Sequence, residues 1–230
     1  MRSLKPLLYI SLLILGSCQS IAFAKKEMAF AGKISSLLNG ARVTIRSTAT
    51  SSTSEGSFKK YAFEIEGLSL DGPNPDMVIM GAGSLPALCF YEDTIADPTS
   101  YKYIEVTVKA KGNVYESQYT PRQLRQVHES FLTVEGFINA LKTYNSDSLS
   151  YYVDRTPMKD FSPDALINTM KQADAKYGTV QKEVARAFKF DDQEGRHVLY
   201  CRFTLHRGSV IQGAEIWVDP STKKVVGYDL

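Results

Sequence analysis

Residues 120–144 read TPRQLRQVHESFLTVEGFINALKTY, and the rest of the chain is arranged around them. Thr120 can cap a helix, and Pro121 follows at the first helical position, where a missing N–H costs nothing. Leu124, Val127, Phe131, Val134, Ile138 and Leu141 then recur at steps of three and four. That spacing is one apolar stripe on a 3.6-residue period, so the segment predicts an amphipathic helix. Gly136 interrupts it at a cost of about 1 kcal/mol relative to Ala and marks a bend. A stripe this wide needs a sheet to lie on, and the downstream sequence supplies one.

Downstream, Ser146–Ser150 leads into Tyr151-Tyr152-Val153, which reads as a short extended or irregular piece. Ser162-Pro163 starts a second helix by the same cap-and-proline device, with Leu166, Ile167, Met170, Ala173 and Tyr177 on its apolar face and Gly178 as its stop. Four alternating runs follow: residues 180–190, 196–206 (Leu199, Cys201, Phe203 and Leu205 inward), 209–219 and 225–230. Their links are short, so they predict an antiparallel meander.

Upstream, residues 27–38 predict a short helix with Phe30, Ile34 and Leu37 on one face, ended by Asn39-Gly40. Arg42–Arg46 and the run through Tyr61, Phe63 and Ile65 predict strands, with a polar loop over 47–57 between them. Residues 71–76 are a turn, and Met77–Met80 reads as a buried strand entering Gly81-Ala82-Gly83-Ser84-Leu85-Pro86. A strand followed by Gly-x-Gly invites a dinucleotide-binding reading, but Pro86 occupies the place of the third small residue and no βαβ unit is evident. Tyr101–Ala110 and Val114–Tyr119 predict a hairpin turning at Lys111-Gly112-Asn113. Tyr101, Tyr103, Tyr115 and Tyr119 have exposed parity and form a candidate tyrosine patch, for a partner protein or for a neighbouring domain.

The chain start is separate from the fold. Arg2 and Lys5 precede an apolar run over Leu7–Leu15, too short to span a bilayer, which is the layout of a secretory signal. Ala22-Phe23-Ala24 is one cleavage site; Leu15-Gly16-Ser17-Cys18 resembles a lipobox, which would lipidate Cys18 and is then the chain's one route to a membrane. Expected domains are therefore 1–24 as signal, 25–119 as an α+β module and 120–230 as a second α+β module. No acid precedes Lys25, so the chain beyond residue 24 balances 25 bases with 25 acids. Its basic pairs are scattered, which gives no electrostatic footprint for nucleic acid.

Candidate chemistry is sparse. Cys89 and Cys201 permit one disulfide in an oxidising compartment, or are two buried small apolar residues, which the apolar runs around them favour. His197 and His206 sit nine apart on one strand and face opposite ways, and His128 has no ligand partner at i+4, so no metal and no cofactor is implied. Asp154, beside Tyr151 and Tyr152 and near Asp160, is the one weak candidate for a catalytic base, if an apolar cavity raises its pKa. Tyr152, Phe203 and Trp217 are the candidate lining of a ligand pocket.

The order of elements over residues 120–230 resembles the nuclear-transport-factor-2-like superfamily: a long helix, a Tyr-Tyr piece, a Ser-Pro-capped helix ending in Tyr-Gly, and four strands closing on Val-Gly-Tyr. The resemblance is closest to exported bacterial members of unknown function. It implies a curved antiparallel sheet wrapped round helices, a cystatin-like cone with a pocket, and no particular reaction. The expectation is an exported protein of the periplasm or cell envelope. Its role is non-catalytic binding of a partner protein or a small apolar ligand. The alternative is an isomerase- or hydrolase-type enzyme using Asp154. A third expectation is that the first module fills the cone and leaves no site.

Overall fold

The computed structural model describes residues 26–52, 56–72, 74–94, 101–193, 195–208 and 210–230, with backbone alone for those of residues 50–57 it includes. The chain is α+β, with two four-stranded sheets. In order, the elements are α1 (residues 26–37), β1 (Arg42–Ser52), β2 (Gly56–Glu66), α2 (Pro75–Asp93), β3 (Tyr103–Ala110), β4 (Asn113–Tyr119), α3 (Pro121–Lys142), α4 (Ser146–Tyr152), α5 (Pro163–Tyr177), β5 (Lys182–Gln193), β6 (Arg196–Arg207), β7 (Val210–Asp219) and β8 (Lys224–Asp229). The signal segment, Cys18 included, lies outside the described residues. No helix among the described residues is long and apolar enough to cross a membrane.

The decisive stretch folds as its pattern predicts. Thr120 and Gln123 form a reciprocal capping box, and all six stripe residues of α3 are buried. The strands β5–β6–β7–β8 pair in succession, all antiparallel, as their short links require. α3 lays Phe131 against Phe188 of β5 and Phe203 of β6. α5 begins at Ser162-Pro163 and stops at Gly178, whose φ of 87° lies in the left-handed region. Leu166, Ile167 and Met170 are buried, but Ala173 is only partly covered and Tyr177 is exposed, so the apolar face ends one turn early.

Several local expectations are overturned. Met77–Met80 is the first turn of α2 and not a strand. α2 is covered on nearly every side from Ile79 to Tyr91, so it carries no polar face and no 3.6-residue stripe. Its start uses the same device as α3 and α5: the Asn74 side chain accepts the Met77 N–H at 3.2 Å, and Pro75 follows. Because α2 connects β2 to a parallel β3, a βαβ unit does exist, and the first sheet is mixed, with β1–β2 and β3–β4 antiparallel. The Gly81–Pro86 motif lies inside that helix, away from any strand-to-helix turn, so it forms no phosphate loop. Of the polar loop expected over 47–57, residues 47–52 and 56–57 are paired strand, β1 with β2 out to Ser52 and Gly56, and residues 53–55 lie outside the described residues. Tyr151-Tyr152 closes helix α4, whose cap is Asn145, and only Val153 is extended, bridging Val225. Leu37 of α1 faces outward.

The tyrosine patch does not form. Tyr101 and Tyr119 are buried, Tyr103 is half-buried, and only Tyr115 is exposed. Tyr119 packs edge-on to Phe188, which joins the first sheet to the second. α2 completes that junction. Gly81 meets the backbone of Arg186, where a Cβ would stand 2.4 Å from the carbonyl oxygen, so any larger residue would push helix and strand apart. Gly136 has a packing role: the ring of Tyr152 occupies the space its side chain would fill.

Candidate functional site

The three expected pocket residues do not converge. Phe203 lies on the inner face of β6 against Phe131, among the fully buried Leu199, Cys201 and Leu205, so this face is packed core. Tyr152 packs on Gly136 and against Tyr151. Trp217 sits on the opposite face of the same sheet, where it tilts against Tyr200 at 5.4 Å between ring centres. The strand parity placing Phe203 inward is the same parity that places Trp217 outward.

Asp154 is not a base with a raised pKa. Its carboxylate accepts the Thr156 N–H at 2.9 Å and the Arg196 guanidinium at 3.3 Å. The Thr156 bonds, helped by Arg196, hold its pKa below the ordinary aspartate value, so it stays ionised and weakly basic. The neighbouring basin of about 850 Å³, between Thr156–Asp160, Gln193 and Arg196, is polar and open. Asp154 thus anchors its loop through Thr156 and Arg196, without the raised pKa that acid–base chemistry there would use.

Cys89 and Cys201 are both free thiols. Cys201 is fully buried on β6, and Cys89 is on α2 and not in a strand as expected; burial pushes the Cys89 thiol up to about 11 and that of Cys201 higher still. Neither is set up as a nucleophile. His128 approaches Glu92, His197 approaches Asp192, and His206 approaches Thr204. Among the described residues no three His, Cys, Asp or Glu are grouped to hold a metal.

What does form a site lies where the two sheets meet, along the first turns of α2. One groove of about 320 Å³ has apolar walls from Leu37, Leu38, Met77, Val78 and Leu85. Its opposite side is built by β5 and β6, which present Ala185, Arg186, Arg202 and Thr204. Among the described residues, the two arginines are its only charged lining residues. Arg202 lies flat over Gly213, where a Cβ would meet its Nη2 at 2.4 Å, and pairs with Glu215. Arg186 donates from Nε to the Thr204 hydroxyl at 2.9 Å and makes no ion pair among the described residues. It stands where β5 bulges between Ala185 and Ala187, an irregularity that turns a side chain out of the ladder.

Met77 carries the lining into a second groove of about 330 Å³, where Met80 faces Tyr200 and Trp217. Lys189 lies over the Tyr200 ring at 5.6 Å and pairs with Asp191 at 3.2 Å. Trp217 thus lines a groove, but with partners other than Tyr152 and Phe203. A further recess of about 540 Å³, floored by Phe30, Tyr61 and Phe90, opens beside Lys26 and Thr94, and its Lys33 is already held by Asp93.

Sequence reasoning missed Met77, Val78, Arg186 and Arg202. The Asn74-Pro75 start was a usable signal for the first two, since it places both in a helical first turn. Nothing in the local sequence marks the bulge that turns Arg186. Compared with protein-family models, with curated proteins and with solved structures, the chain matches none.

Proposed function

We propose that this chain is an exported envelope protein that binds a small apolar ligand without transforming it, and that the ligand sits along the first turns of α2. We also propose that residues 120–230 are a cone of the nuclear-transport-factor-2-like kind. The observation that carries the binding reading is the contrast between the two sides of the second sheet. Its inner face is filled by α3, with Phe131 seated on Phe188 and Phe203. Its outer edge, against α2, keeps a groove of about 320 Å³, within the range of small-ligand sites, walled by leucine, methionine and valine side chains. The export reading rests on the charged start and nine-residue apolar run before Lys25.

A neutral apolar dye such as Nile red tests the groove. Fluorescence enhancement is expected with the native protein, and its loss in Leu37→Glu and Met77→Glu. Leu132→Glu, at an exposed apolar position away from the groove, serves as the control and keeps the enhancement. Equal dye binding in all four proteins would refute the site. The mass of the mature protein tests export: loss of residues 1–24, or a lipidated Cys18, supports it, and a full-length chain contradicts it.

A further inference from the structure

We propose that the groove selects a ligand with one negative charge at the head of an apolar chain, a fatty carboxylate, with Arg186 as the residue that reads the charge. The inference rests on the binding reading above and adds the chemistry of the ligand. Four observations support it.

On the α1 and α2 side the groove is walled by Leu37, Leu38, Met77, Val78 and Leu85, beside the neutral polar Asn39, Ser69 and Asn74, and among the described residues its only charged lining groups are two guanidiniums on the β5–β6 side, with no carboxylate. An uncompensated cation beside an apolar wall is complementary to an amphiphile with an anionic head. Second, the two arginines are not equivalent. Arg202 is already neutralised by Glu215 and pinned over Gly213. Arg186 is anchored through Nε by a neutral hydroxyl, and its Nη groups make no hydrogen bond or ion pair among the described residues. Two parallel N–H donors on one guanidinium match the two oxygens of a carboxylate. The net site charge of one favours a monoanion over a dianion.

Third, the placement of Arg186 depends on backbone geometry that a regular strand would lack. The bulge between Ala185 and Ala187 leaves Arg186 out of register with β6. Gly81 lets α2 close on the bulged carbonyl, since a Cβ there would overlap it. Finally, Arg186 is exposed, at the rim, while Val78 and Leu85 are deeper, so a charged head at the rim and a tail inside are each matched to their surroundings.

The test is displacement of Nile red, confirmed by calorimetry, with dodecanoate, dodecanol and dodecylamine as probes below their aggregation limits. The native protein is expected to bind dodecanoate at least about tenfold more tightly than dodecanol, the effect of one charge-assisted pair. Arg186→Gln, a change at an exposed position, is expected to bring the two to equal affinity while Nile red still binds. Arg186→Lys keeps a point charge and is expected to restore part of the preference. Equal binding of dodecanoate and dodecanol by the native protein would overturn the charge assignment and leave the apolar groove standing. A preference for dodecanoate that survives Arg186→Gln would overturn the role of Arg186. Tighter binding of dodecylamine would overturn the sign. Failure of every probe, Nile red included, would remove the groove reading itself.

Discussion

The hydroxyl of Ser84, in the middle of α2, accepts the backbone N–H of Phe188 at 3.2 Å and donates to the Met80 carbonyl at 2.8 Å. The bond is buried and joins residues 104 apart, one in each half of the chain. It covers a donor on the edge strand β5 that would otherwise be lost from water on one side and unpaired on the other. Ser84→Ala should therefore destabilise the protein by about 1–3 kcal/mol, the cost of a buried unsatisfied N–H, read from the urea midpoint. A change below about 0.5 kcal/mol would mean that this bond does not hold the halves together.

Two glycines in helices should respond oppositely to the same substitution. Gly81→Ala places a methyl 2.4 Å from the Arg186 carbonyl oxygen, which is backbone and cannot swing aside. Overpacking of this kind costs about 1–3 kcal/mol, more than the roughly 1 kcal/mol gained in helix propensity. Gly136→Ala meets the outer part of the Tyr152 ring, the far end of a side chain that can swing aside by a change at χ1. It should be neutral or slightly stabilising. Thermal or urea unfolding of the two variants side by side checks the contrast.

Arg207 is fully buried and pairs with Asp174 at the end of α5. Its Nε reaches Gln212 at 3.1 Å and its Nη1 the Gly178 carbonyl at 3.0 Å, while Tyr144 donates to the other Asp174 oxygen at 2.5 Å. This network ties α3, α5 and the β6–β7 turn. Asp174→Ala strands the guanidinium and should cost about 3–5 kcal/mol. The double variant Arg207→Met, Asp174→Leu should lose less, because no charge is left buried alone. Equal losses would contradict an ion-pair role.

Asp219 has a depressed pKa. Burial alone would raise it, but bonds from the Ser221 hydroxyl and the Ser221 and Thr222 N–H groups outweigh that effect. A carboxylate with a folded pKa below its unfolded value adds stability above the unfolded value of about 3.9, and loses it as pH falls through the folded one. The difference in urea midpoint between the native protein and Asp219→Asn should thus be present at pH 7 and fade below about pH 4. A difference that grew on acidification would contradict this. Asp154, lowered in the same direction by Thr156 and Arg196, should behave alike.

How much of this was legible in the sequence depended on which faces each element shows to water. α3 and the meander β5–β8 each keep a polar side, so Leu124 to Leu141 and Leu199 to Leu205 alternate visibly with polar residues. α2 has almost no such side, and its buried run from Ile79 to Tyr91 looked like strand and glycine turn. Only Asn74-Pro75 distinguished it. Tyr152, Phe203 and Trp217 fail to converge for a related reason. Strand parity put Phe203 and Trp217 on opposite faces, but their shared aromatic character suggested one lining. The groove was not legible at all, because it is assembled from α1, α2 and two strands more than a hundred residues downstream.

The location of ligand binding is tested most directly by methyl NMR on methionine-labelled protein titrated with dodecanoate. Met77 lines the groove, while Met170 of α5 is buried against Arg207 and does not line it. A groove site shifts the Met77 methyl in proportion to occupancy and leaves Met170 unmoved. A shift confined to Met170, or a saturating interaction that moves neither methyl, contradicts it.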